Sequence, residues 1–305
     1  MRLGALIVTT GLSRAHGIAA LKLRVGGISA GQRMIAAFQR CGVTITGLVV
    51  GPEDKKSERQ FARTGVIFLR CPEHASFEDG VRAGLSFMAE KFDRVFVVPG
   101  DMPLFLPKTL ETLLLLDAPI AIPVRNRIYG APILLRSDAV RAILSADAGP
   151  FEQVIQTCPK DKSFVTVQDS GVLIRSDDMT HRADHIRLHD RQLIRPSVGI
   201  ALHSGSALYD DRLHMLLHLA EETRSILDAC SLMQISYSAA WKMLNHAEDE
   251  LGYPLVDRIR GGPDGSGTQL TERGRQLMVA YDRFAEELNA RAAELCKTCF
   301  AAIPE

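Results

Sequence analysis

The stretch VVPGDMPLF (residues 97–105) places one carboxylate, Asp101, directly after a run of apolar residues. The apolar run predicts a buried β-strand, and Gly100 and Pro103 on either side of the acid predict that the strand ends there. A carboxylate at the end of a buried strand is costly to desolvate unless a cation or hydrogen-bond donors meet it. Two roles fit: a ligand of Mg²⁺ that accompanies nucleotide phosphates, and a cap for the turn that follows.

The surrounding sequence alternates between two kinds of segment. Short apolar runs at 4–9, 44–50, 65–69 and 93–98 predict strands, and amphipathic stretches at 28–42 and 76–92 predict helices. Continuous apolar strands that alternate with helices are typical of a mainly parallel sheet covered on both faces. The sequence therefore predicts a Rossmann-like α/β domain over residues 1–192, whose ligands bind at the carboxyl ends of the strands.

The loop after the first predicted strand, TTGLSRAHG (9–17), consists mainly of small residues and opens toward a helix. Backbone N–H groups of such a loop can receive phosphate oxygens. Because this loop and Asp101 both follow predicted strands, we expect them at the same edge of the sheet. Together they predict a site for a Mg²⁺–triphosphate complex.

Residues 1 to about 190 resemble the MobA/MocA-like molybdenum-cofactor nucleotidyltransferases. The matching segments are VTTGLSRAHG (8–17), GISAGQRMIAAFQRCGV (27–43), PGDMPLF (99–105), YGAPILL (129–135) and VLIRSDD (172–178). The resemblance implies that a substrate phosphate, such as that of molybdopterin, attacks the α-phosphate of CTP or GTP and releases pyrophosphate. It also implies that Asp101 and Asp177 hold Mg²⁺.

The same resemblance assigns the other residues of the site. Asp101, Lys22 and Arg14 are the predicted catalytic residues, the two cations because positive charge stabilises the triphosphate during transfer. The predicted nucleotide-binding residues are Thr9, Thr10, Gly11, Ser13, Gly17 and Gly100. Thr9-Thr10-Gly11 is more similar to the Ala-Ala-Gly of the cytidine-using branch than to the Ala-Gly-Gly of the guanosine-using branch, which favours CTP over GTP.

Four positions around this site depart from the family pattern. Arg14 stands one place before the family's arginine, and Ala20 occupies the family's lysine position, with Lys22 the nearest lysine. Gly80 replaces a serine, and Arg175 replaces the first of two acids in the late acidic segment. Two interpretations remain: an active transferase with altered geometry, or a domain that has lost catalysis and serves as a ligand sensor or scaffold.

The alternation of strands and helices stops beyond residue 192. Residues 194–202 predict a lone strand, and residues 225–252 predict two helices around a tight connection. The second helix is expected to begin at Tyr237, with Ser236 as its N-cap. Residues 254–271 predict two strands with a Gly-rich tip, and residues 270–295 predict a long helix. This pattern predicts a mainly α winged helix-turn-helix domain over residues 193–305.

Residues from about 194 to 295 resemble the winged helix-turn-helix domain of ModE-type, LysR-related molybdenum regulators. The match lies in QISYSAAWKMLNHAEDELGYPLVDRIRGG (234–262) and GTQLTERGRQLM (267–278). It implies operator DNA as a partner and a homodimer formed through this domain. The predicted DNA-binding residues are Ser236, Tyr237, Ser238, Lys242, Arg258 and Arg260. The predicted dimer stripe on the long helix is Leu277, Tyr281, Phe284 and Leu288.

Composition limits the class of protein. The chain is 46% hydrophobic and 24% charged, which is typical of a globular protein. No apolar run approaches the ~20 residues that span a bilayer, and the six cysteines are too scattered for a disulfide framework, so we expect a cytoplasmic protein without a membrane partner. The first ~206 residues carry about six excess positive charges and the remainder about six excess negative charges. DNA binding therefore requires that the acids of the C-terminal domain lie away from the contact face.

Two further motifs have metal-ligand spacing. His181, His185 and His189 recur every four residues, as in a transition-metal chelate or a solvated helix face. Cys296 and Cys299 form a Cys-x-x-Cys pair without a second pair. The sequence assigns a role to neither motif.

Overall fold

A computed structural model of the chain describes residues 1–12, 18–25, 27–52, 60–62, 65–194, 196, 198–262 and 265–299. The chain divides into two compact units. The first unit comprises Met1–Phe61 and Gly65–Ile194, and the second comprises Ala62–Thr64 and Arg195–Glu305. Among the described residues, no helix is both long and apolar enough to cross a membrane.

The strands of the first unit are short and mostly buried. They are β1 Leu3–Val8, β2 Arg24–Val25, β3 Ile28–Ser29, β4 Ile45–Val50, β5 Val66–Arg70, β6 Arg94–Pro99, β7 Ile120–Arg125, β8 Ile128–Tyr129, β9 Ile133–Arg136 and β10 Lys162–Thr166. The main sheet has the order β10-β7-β9-β6-β1-β4-β5, with β8 paired to β7, and β2 pairs with β3 separately. Strands β6, β1, β4 and β5 are parallel, whereas β9 is antiparallel to both of its neighbours. The predicted α/β fold is confirmed, with β9 as an antiparallel member of a mixed sheet.

Most helices of the first unit bury an apolar face. They are α1 Ile18–Lys22, α2 Ala30–Arg40, α3 Phe77–Met88, α4 Pro107–Leu114, α5 Ser137–Ser145, α6 Phe151–Thr157 and α7 Ala183–Gln192. Both α2 and α3 begin with a capping box, formed by Ser29 with Gln32 and by Ser76 with Asp79. Such boxes satisfy two of the N–H groups that a helix start leaves unpaired.

The chain changes direction across the sheet between β1 and β6. After β1 it passes to β4 and β5 on one side, and it then returns to β6 on the other side of β1. The register pairs Val8 with Pro99, so the loops that start at Thr9 and Gly100 lie side by side. In open α/β sheets, such a switch point forms the crevice in which ligands bind.

The second unit is mainly helical. Its elements are β11 Ala201–Ser204, β12 Ser206–Asp210, α8 Asp211–Thr223, α9 Ile226–Met233, α10 Tyr237–Leu251, β13 Val256–Gly262, β14 Gly265–Leu270 and α11 Glu272–Cys299. The prediction of a lone strand near residues 194–202 is wrong. Gly205, with a φ of +82°, turns the chain so that β11 and β12 form an antiparallel hairpin.

The predicted helix-turn-helix and wing are confirmed. Gln234 adopts a left-handed conformation that ends α9, and the Ser236 side chain accepts a 3.2 Å hydrogen bond from Ala239 N–H at the start of α10. Strands β13 and β14 pair antiparallel as the wing. Apolar spacing in the sequence predicts Ile226, Ala229 and Leu244 in a shared core, and all three are buried. It also predicts Leu232 and Ala239 there, but Met233 and Ala240 are buried instead, because each lies four residues from a buried residue of the same helix, Ala229 or Leu244.

Candidate functional site

Asp101 follows β6 and is only 1% exposed. Its Oδ2 accepts a 2.5 Å hydrogen bond from Arg175 Nη1, which makes an ion pair across the fold. Its backbone carbonyl accepts hydrogen bonds from the Ser176 backbone N–H (2.7 Å) and hydroxyl (3.1 Å). The cation that meets Asp101 in this structure is therefore Arg175, a pairing that the turn-cap interpretation does not predict.

The other carboxylate oxygen of Asp101, Oδ1, is buried and has no hydrogen-bond partner. An unsatisfied buried acceptor is costly, and Mg²⁺ is commonly held by one or two carboxylates together with water and phosphate oxygens. The residues thus fit a divalent cation that arrives with phosphates. The adjacent guanidinium of Arg175 repels a bare cation, so the negative charge of a triphosphate is needed to bring Mg²⁺ to Oδ1.

Asp177, the other predicted metal ligand, is an exposed residue of the 3₁₀ segment Ser176–His181. Because Ser176 is bonded to the backbone of Asp101, the late acidic segment and the loop after β6 are adjacent. Within this segment, the side chain bonded to the Asp101 carboxylate belongs to Arg175.

The loop after β1 is fixed by close contacts on both sides. The Thr9 hydroxyl donates a 2.8 Å hydrogen bond to the Val49 carbonyl of β4. Gly11 has a φ of +67°, and a Cβ there would lie 2.1 Å from the Phe77 backbone nitrogen. A Cβ on Gly100 would lie 2.8 Å from Thr9 Cγ2. Both glycines are therefore required for the two strand-end loops and α3 to approach one another.

One of the four departures from the family pattern has a steric cause. A Cβ on Gly80 would lie 2.0 Å from Thr10 Oγ1 and 3.0 Å from Val8 Cγ1. Thr10 stands where the family pattern has alanine, so the larger side chain on the loop is accommodated by the smaller residue on α3. The Thr10 hydroxyl is buried without a hydrogen-bond partner, which leaves it available to a ligand at the strand ends.

Of the two predicted catalytic cations, Lys22 and Arg14, the structure describes only Lys22. Lys22 is the exposed last residue of α1, and the neighbouring Leu21 packs beside Gly100, so α1 lies at the same edge of the sheet as Asp101. Arg14 lies outside the described residues, as do Ser13 and Gly17.

A buried cation that the sequence analysis missed anchors α7 to this edge. Arg33 is 0% exposed on α2, and it donates hydrogen bonds to the Val25 carbonyl (2.8 Å from Nε) and to Asp190 (2.5 Å from Nη1). It also lies 3.2 Å from His189 Nδ1. The available signal was its position on the apolar face of α2, between Ala30 and Ala37.

The histidine repeat does not form a solvated face, so that interpretation is wrong for its described members. His189 is fully buried, and burial together with the Arg33 charge lowers its pKa to about 3. The His185 side chain is 12% exposed, and its Nε2 lies 2.8 Å from the Leu104 carbonyl. The side chain of His181 lies outside the described residues. His185 and His189 therefore dock α7 onto the fold, each through its own contacts.

Asp169 was also missed, and it holds the loop after β10 against the segment that follows Asp101. It is 5% exposed. Its oxygens accept 2.7 Å hydrogen bonds from Leu106 N–H, the Thr109 hydroxyl and Gly171 N–H. With all three donors inside the protein, this carboxylate is structural.

In the second unit, the predicted recognition residues form an exposed surface on the first turns of α10. Ser236, Tyr237, Ser238 and Lys242 are exposed, whereas Ala240, Leu244 and Ala247 of the same helix are buried. Trp241 is half-buried and packs edge-on against the Tyr237 ring at 6.0 Å, although a single tryptophan on a helix is more often a core residue. Arg258 and Arg260 belong to β13, and their side chains lie outside the described part of the structure.

Two acids of the second unit point into the fold and away from that face. Glu221 accepts hydrogen bonds from Arg275 Nε (2.9 Å) and Leu270 N–H (3.1 Å). Glu248 accepts hydrogen bonds from Leu255 N–H (2.6 Å) and Val256 N–H (3.2 Å). Residues 237–247 contain no acid, so the charge on the first turns of α10 comes from Lys242, whereas Asp249 and Glu250 are exposed in its last turn.

The predicted dimer stripe on α11 requires a correction. Tyr281 is 4% exposed, and its hydroxyl donates a 2.8 Å hydrogen bond to the Ile200 carbonyl, so it belongs to the core of its own unit. The exposed apolar residues on this part of α11 are Val279 (63%) and Phe284 (52%). The helix turns Tyr281 inward because the β11–β12 hairpin, absent from the sequence prediction, packs there.

Comparison with known proteins assigns both units to families. A model of the MobA-like NTP transferase domain matches residues 5–163. The chain belongs to this family. A model of the bacterial regulatory helix-turn-helix protein, LysR family, matches residues 211–275, so the MobA-like domain is joined to a LysR-type helix-turn-helix.

Curated relatives match the second unit of this MobA-like chain. The molybdenum transport protein ModE of Azotobacter vinelandii is 38% identical over 96 residues, which cover 28% of this chain and 35% of the relative. The DNA-binding transcriptional dual regulator ModE of Escherichia coli K12 is 35% identical over 75 residues, covering 25% of this chain and 28% of the relative. The chain thus spans about a third of the length of these relatives or less.

A solved structure shares the fold of the MobA-like unit. The homologue of Mycobacterium tuberculosis Rv0371c from Mycobacterium sp. strain JC1 superimposes with a TM-score of 0.52 at 16% identity, covering 62% of this chain and 100% of that one. This similarity supports the nucleotidyltransferase fold.

Proposed function

We propose that this chain joins a Mg²⁺-dependent nucleotidyltransferase, acting on a molybdopterin-type acceptor, to a DNA-binding regulator of molybdenum metabolism. The observation that carries the first part is the Asp101 carboxylate, which is buried at the switch point with one oxygen unsatisfied. The observation that carries the second part is the exposed, acid-free face at the start of α10. A protein that contacts operator DNA would act in the cytoplasm, and this is the localisation that we propose.

In this proposal, Asp101 Oδ1 holds the metal together with Asp177, and the loop after β1 receives the phosphates. Mg²⁺ held by these carboxylates would neutralise charge on the phosphates. Thr10 and the backbone around Gly11 orient the triphosphate, while Lys22 and Arg14 stabilise charge that develops during transfer. The Thr9-Thr10-Gly11 sequence favours CTP over GTP.

Arg175 is proposed to exchange partners when the nucleotide arrives. Its side chain is 56% exposed although its partner, Asp101, is nearly fully buried. A long, solvated side chain of this kind can turn from the carboxylate to a phosphate oxygen, to which a guanidinium bonds equally well. The exchange would free Asp101 for the metal and leave the total charge of the site balanced.

Pyrophosphate release tests the enzymatic half of the proposal. Purified protein is incubated with Mg²⁺, molybdopterin, and CTP or GTP, and released pyrophosphate is measured. We expect release with CTP that Asp101→Asn abolishes. Nucleotide binding without release would instead assign the sensor function, in which the Arg175–Asp101 ion pair has replaced the catalytic metal site.

For the DNA-binding half, we propose that α10 enters the major groove of operator DNA and that α11 forms a homodimer through Val279 and Phe284. Ser238 and Lys242 would contact phosphates or base edges, and Arg258 and Arg260 on the wing would contact the DNA backbone. The Ser236 hydroxyl already caps α10, so its contribution to DNA contact is through the helix start.

Selection of duplexes from a random DNA pool tests this half. We expect an enriched palindromic sequence, because a two-fold dimer reads two half-sites one helical turn apart. Sedimentation at micromolar concentration should give a dimer that Phe284→Asp converts to a monomer. A monomer in the wild type, or selected DNA without symmetry, would contradict the dimeric arrangement.

A further inference from the structure

Two histidines and an aspartate converge between two helices of the second unit. His214 and His218 lie four residues apart on α8, and Asp282 lies on α11. His214 Nε2 is 2.9 Å from Asp282 Oδ1, and His218 Nε2 is 3.2 Å from Asp282 Oδ2. One potential ligand atom from each residue lies within 4.8 Å of the other two.

These separations are close to those of a metal site. Ligand atoms placed 2.0–2.1 Å from a tetrahedral zinc ion are about 3.3 Å apart. The measured approaches of the two imidazole nitrogens to the carboxylate therefore differ from the bound geometry by only a few tenths of an ångström. Spacing of i, i+4 on a helix presents both imidazoles on the same side, as their ring centroid distance of 4.6 Å shows.

The surroundings orient the first histidine. The Tyr209 hydroxyl, whose residue is 1% exposed, lies 2.9 Å from His214 Nδ1. Metal-bound histidines in proteins commonly use their second ring nitrogen in a hydrogen bond of this kind, which fixes the ring and directs the other nitrogen to the metal. The His214 side chain is 13% exposed, whereas that of His218 is 36% exposed. The buried Tyr209 hydroxyl thus fixes the His214 side of the cluster, whereas the His218 side is open to solvent.

The Asp282 carboxylate is shared between the two imidazoles. Its Oδ1 accepts a hydrogen bond from His214 and its Oδ2 accepts one from His218. Without a metal ion, the single carboxylate accepts a hydrogen bond from each imidazole. A metal ion would displace the protons of these two hydrogen bonds and bind all three side chains at once.

We propose that His214, His218 and Asp282 form a binding site for a divalent transition-metal ion of the zinc class, with water in the remaining coordination position. Two imidazoles and one carboxylate suit zinc, cobalt or nickel more than magnesium or calcium, which favour oxygen ligands. The site joins α8, which supports the helix-turn-helix, to the long helix α11. Metal binding therefore stabilises the second unit. The proposal does not depend on the nucleotide site of the first unit.

Calorimetric titration of ZnCl₂ into the full-length chain tests the proposal. We expect one zinc ion per chain at this site, with affinity reduced at least tenfold by His218→Ala and by Asp282→Asn. His218 is preferred over His214 for substitution because its greater exposure makes loss of folding a smaller concern. His203→Ala, on the exposed strand β11, is the matched histidine control.

A second control addresses the thiols. Cys296 and Cys299 are free cysteines on α11 that bind zinc readily, so a Cys296→Ser/Cys299→Ser variant is titrated in parallel. We expect it to retain the site. Loss of binding in this variant together with unchanged binding in His218→Ala would overturn the proposal, as would a wild type that binds no zinc.

Cobalt and thermal unfolding provide independent readouts. Co²⁺ bound by nitrogen ligands in a low-coordinate site gives a visible absorption band, which we expect in the wild type and not in His218→Ala. Zinc should raise the unfolding temperature of the wild type and leave that of His218→Ala unchanged, because only a ligand that binds the folded state stabilises it. An equal shift in both proteins would contradict the assignment.

Discussion

The two candidate sites of this chain differ in the exposure of their functional side chains. In the first unit, Asp101, Thr9 and Thr10 are buried. Two of them already have partners inside the protein, Arg175 and the Val49 carbonyl. In the second unit, Tyr237, Ser238 and Lys242 point to solvent from a helix whose other face is buried. A site for small charged molecules buries its polar groups and leaves single atoms, here Asp101 Oδ1 and the Thr10 hydroxyl, for the ligand, whereas a surface that contacts DNA needs only a firm support and exposed donors.

This difference has consequences for substitution. Changes in the first unit should disturb packing and internal charge balance, and so alter stability as well as ligand binding. Changes on α10 should alter DNA affinity with little effect on stability.

The largest effect is expected for Gly80→Ala. The new Cβ would meet Thr10 Oγ1 at 2.0 Å, and overpacking of this kind destabilises proteins by about 1–3 kcal/mol. Denaturant unfolding measures the loss, and Gly51→Ala, where nothing lies within 4 Å of an added Cβ, is the control. Combining Gly80→Ala with Thr10→Ala should recover part of the stability. A double variant no more stable than Gly80→Ala alone would show that the two positions are not coupled.

Removal of Arg175 comes next. Arg175→Ala leaves the buried Asp101 carboxylate without its cation, and because Arg175 itself is half exposed we expect a loss of about 2 kcal/mol. Mg²⁺ alone should then raise the unfolding temperature, which it should not do in the wild type. Arg141→Ala, which removes an exposed arginine paired with the exposed Glu90, should change neither property. A variant that gains no response to Mg²⁺ would mean that Arg175 does not keep the metal from Asp101.

Acid should destabilise the first unit through His189. Its pKa is about 3 in the folded protein because of burial and the Arg33 charge, against an ordinary value of 6.5. A histidine with a lowered folded pKa contributes its full stability above pH 6.5, and this stability is lost as the pH falls from about 6.5 toward 3. The expected loss is about 1 kcal/mol per pH unit in this window. Unfolding measured from pH 7 to pH 5 should show this slope, His189→Gln should flatten it, and the exposed His74→Ala should not.

The smallest effect, on the free energy of DNA binding, is expected for a substitution of Lys242. Lys242→Ala removes one cation from the exposed face of α10, which should weaken DNA binding about fivefold across sequences and lower the salt dependence by about one ion. Fluorescence anisotropy at several salt concentrations measures both quantities, with Arg291→Ala on α11 as the control. Equal losses in the two variants would place the contact face elsewhere.

Sequence patterns predicted the helices and strands of both units well where the signal is local, such as apolar periodicity or a helix cap. Ser236 before α10 and the alternation of apolar runs with helices are local signals, and both were confirmed by the structure. The β11–β12 hairpin was missed because the predicted strand ended at residue 202, before the left-handed turn at Gly205 and the second strand that follows it.

The sequence did not predict contacts between side chains that are far apart along the chain. The Arg175–Asp101 pair joins residues 74 positions apart, and the contact of Arg33 with His189 joins residues 156 positions apart. Motif comparison marked Arg175 as a departure but gave no reason to place its charge on Asp101. The cluster of His214, His218 and Asp282 was missed because Asp282 lies on another helix, 64 positions after His218, and the spacing of the two histidines alone was not singled out.

The central claim is that Asp101 holds a metal–nucleotide complex at the carboxyl edge of the first sheet. Calorimetric titration of CTP and GTP, with and without Mg²⁺, tests it most directly in the wild type, in Asp101→Asn, and in Asp117→Asn, a control at a fully exposed carboxylate. The account predicts Mg²⁺-dependent binding, stronger for CTP, that Asp101→Asn weakens at least tenfold and Asp117→Asn leaves unchanged. No heat with either nucleotide from the folded wild type, or binding indifferent to Mg²⁺ and to Asp101→Asn, would contradict it.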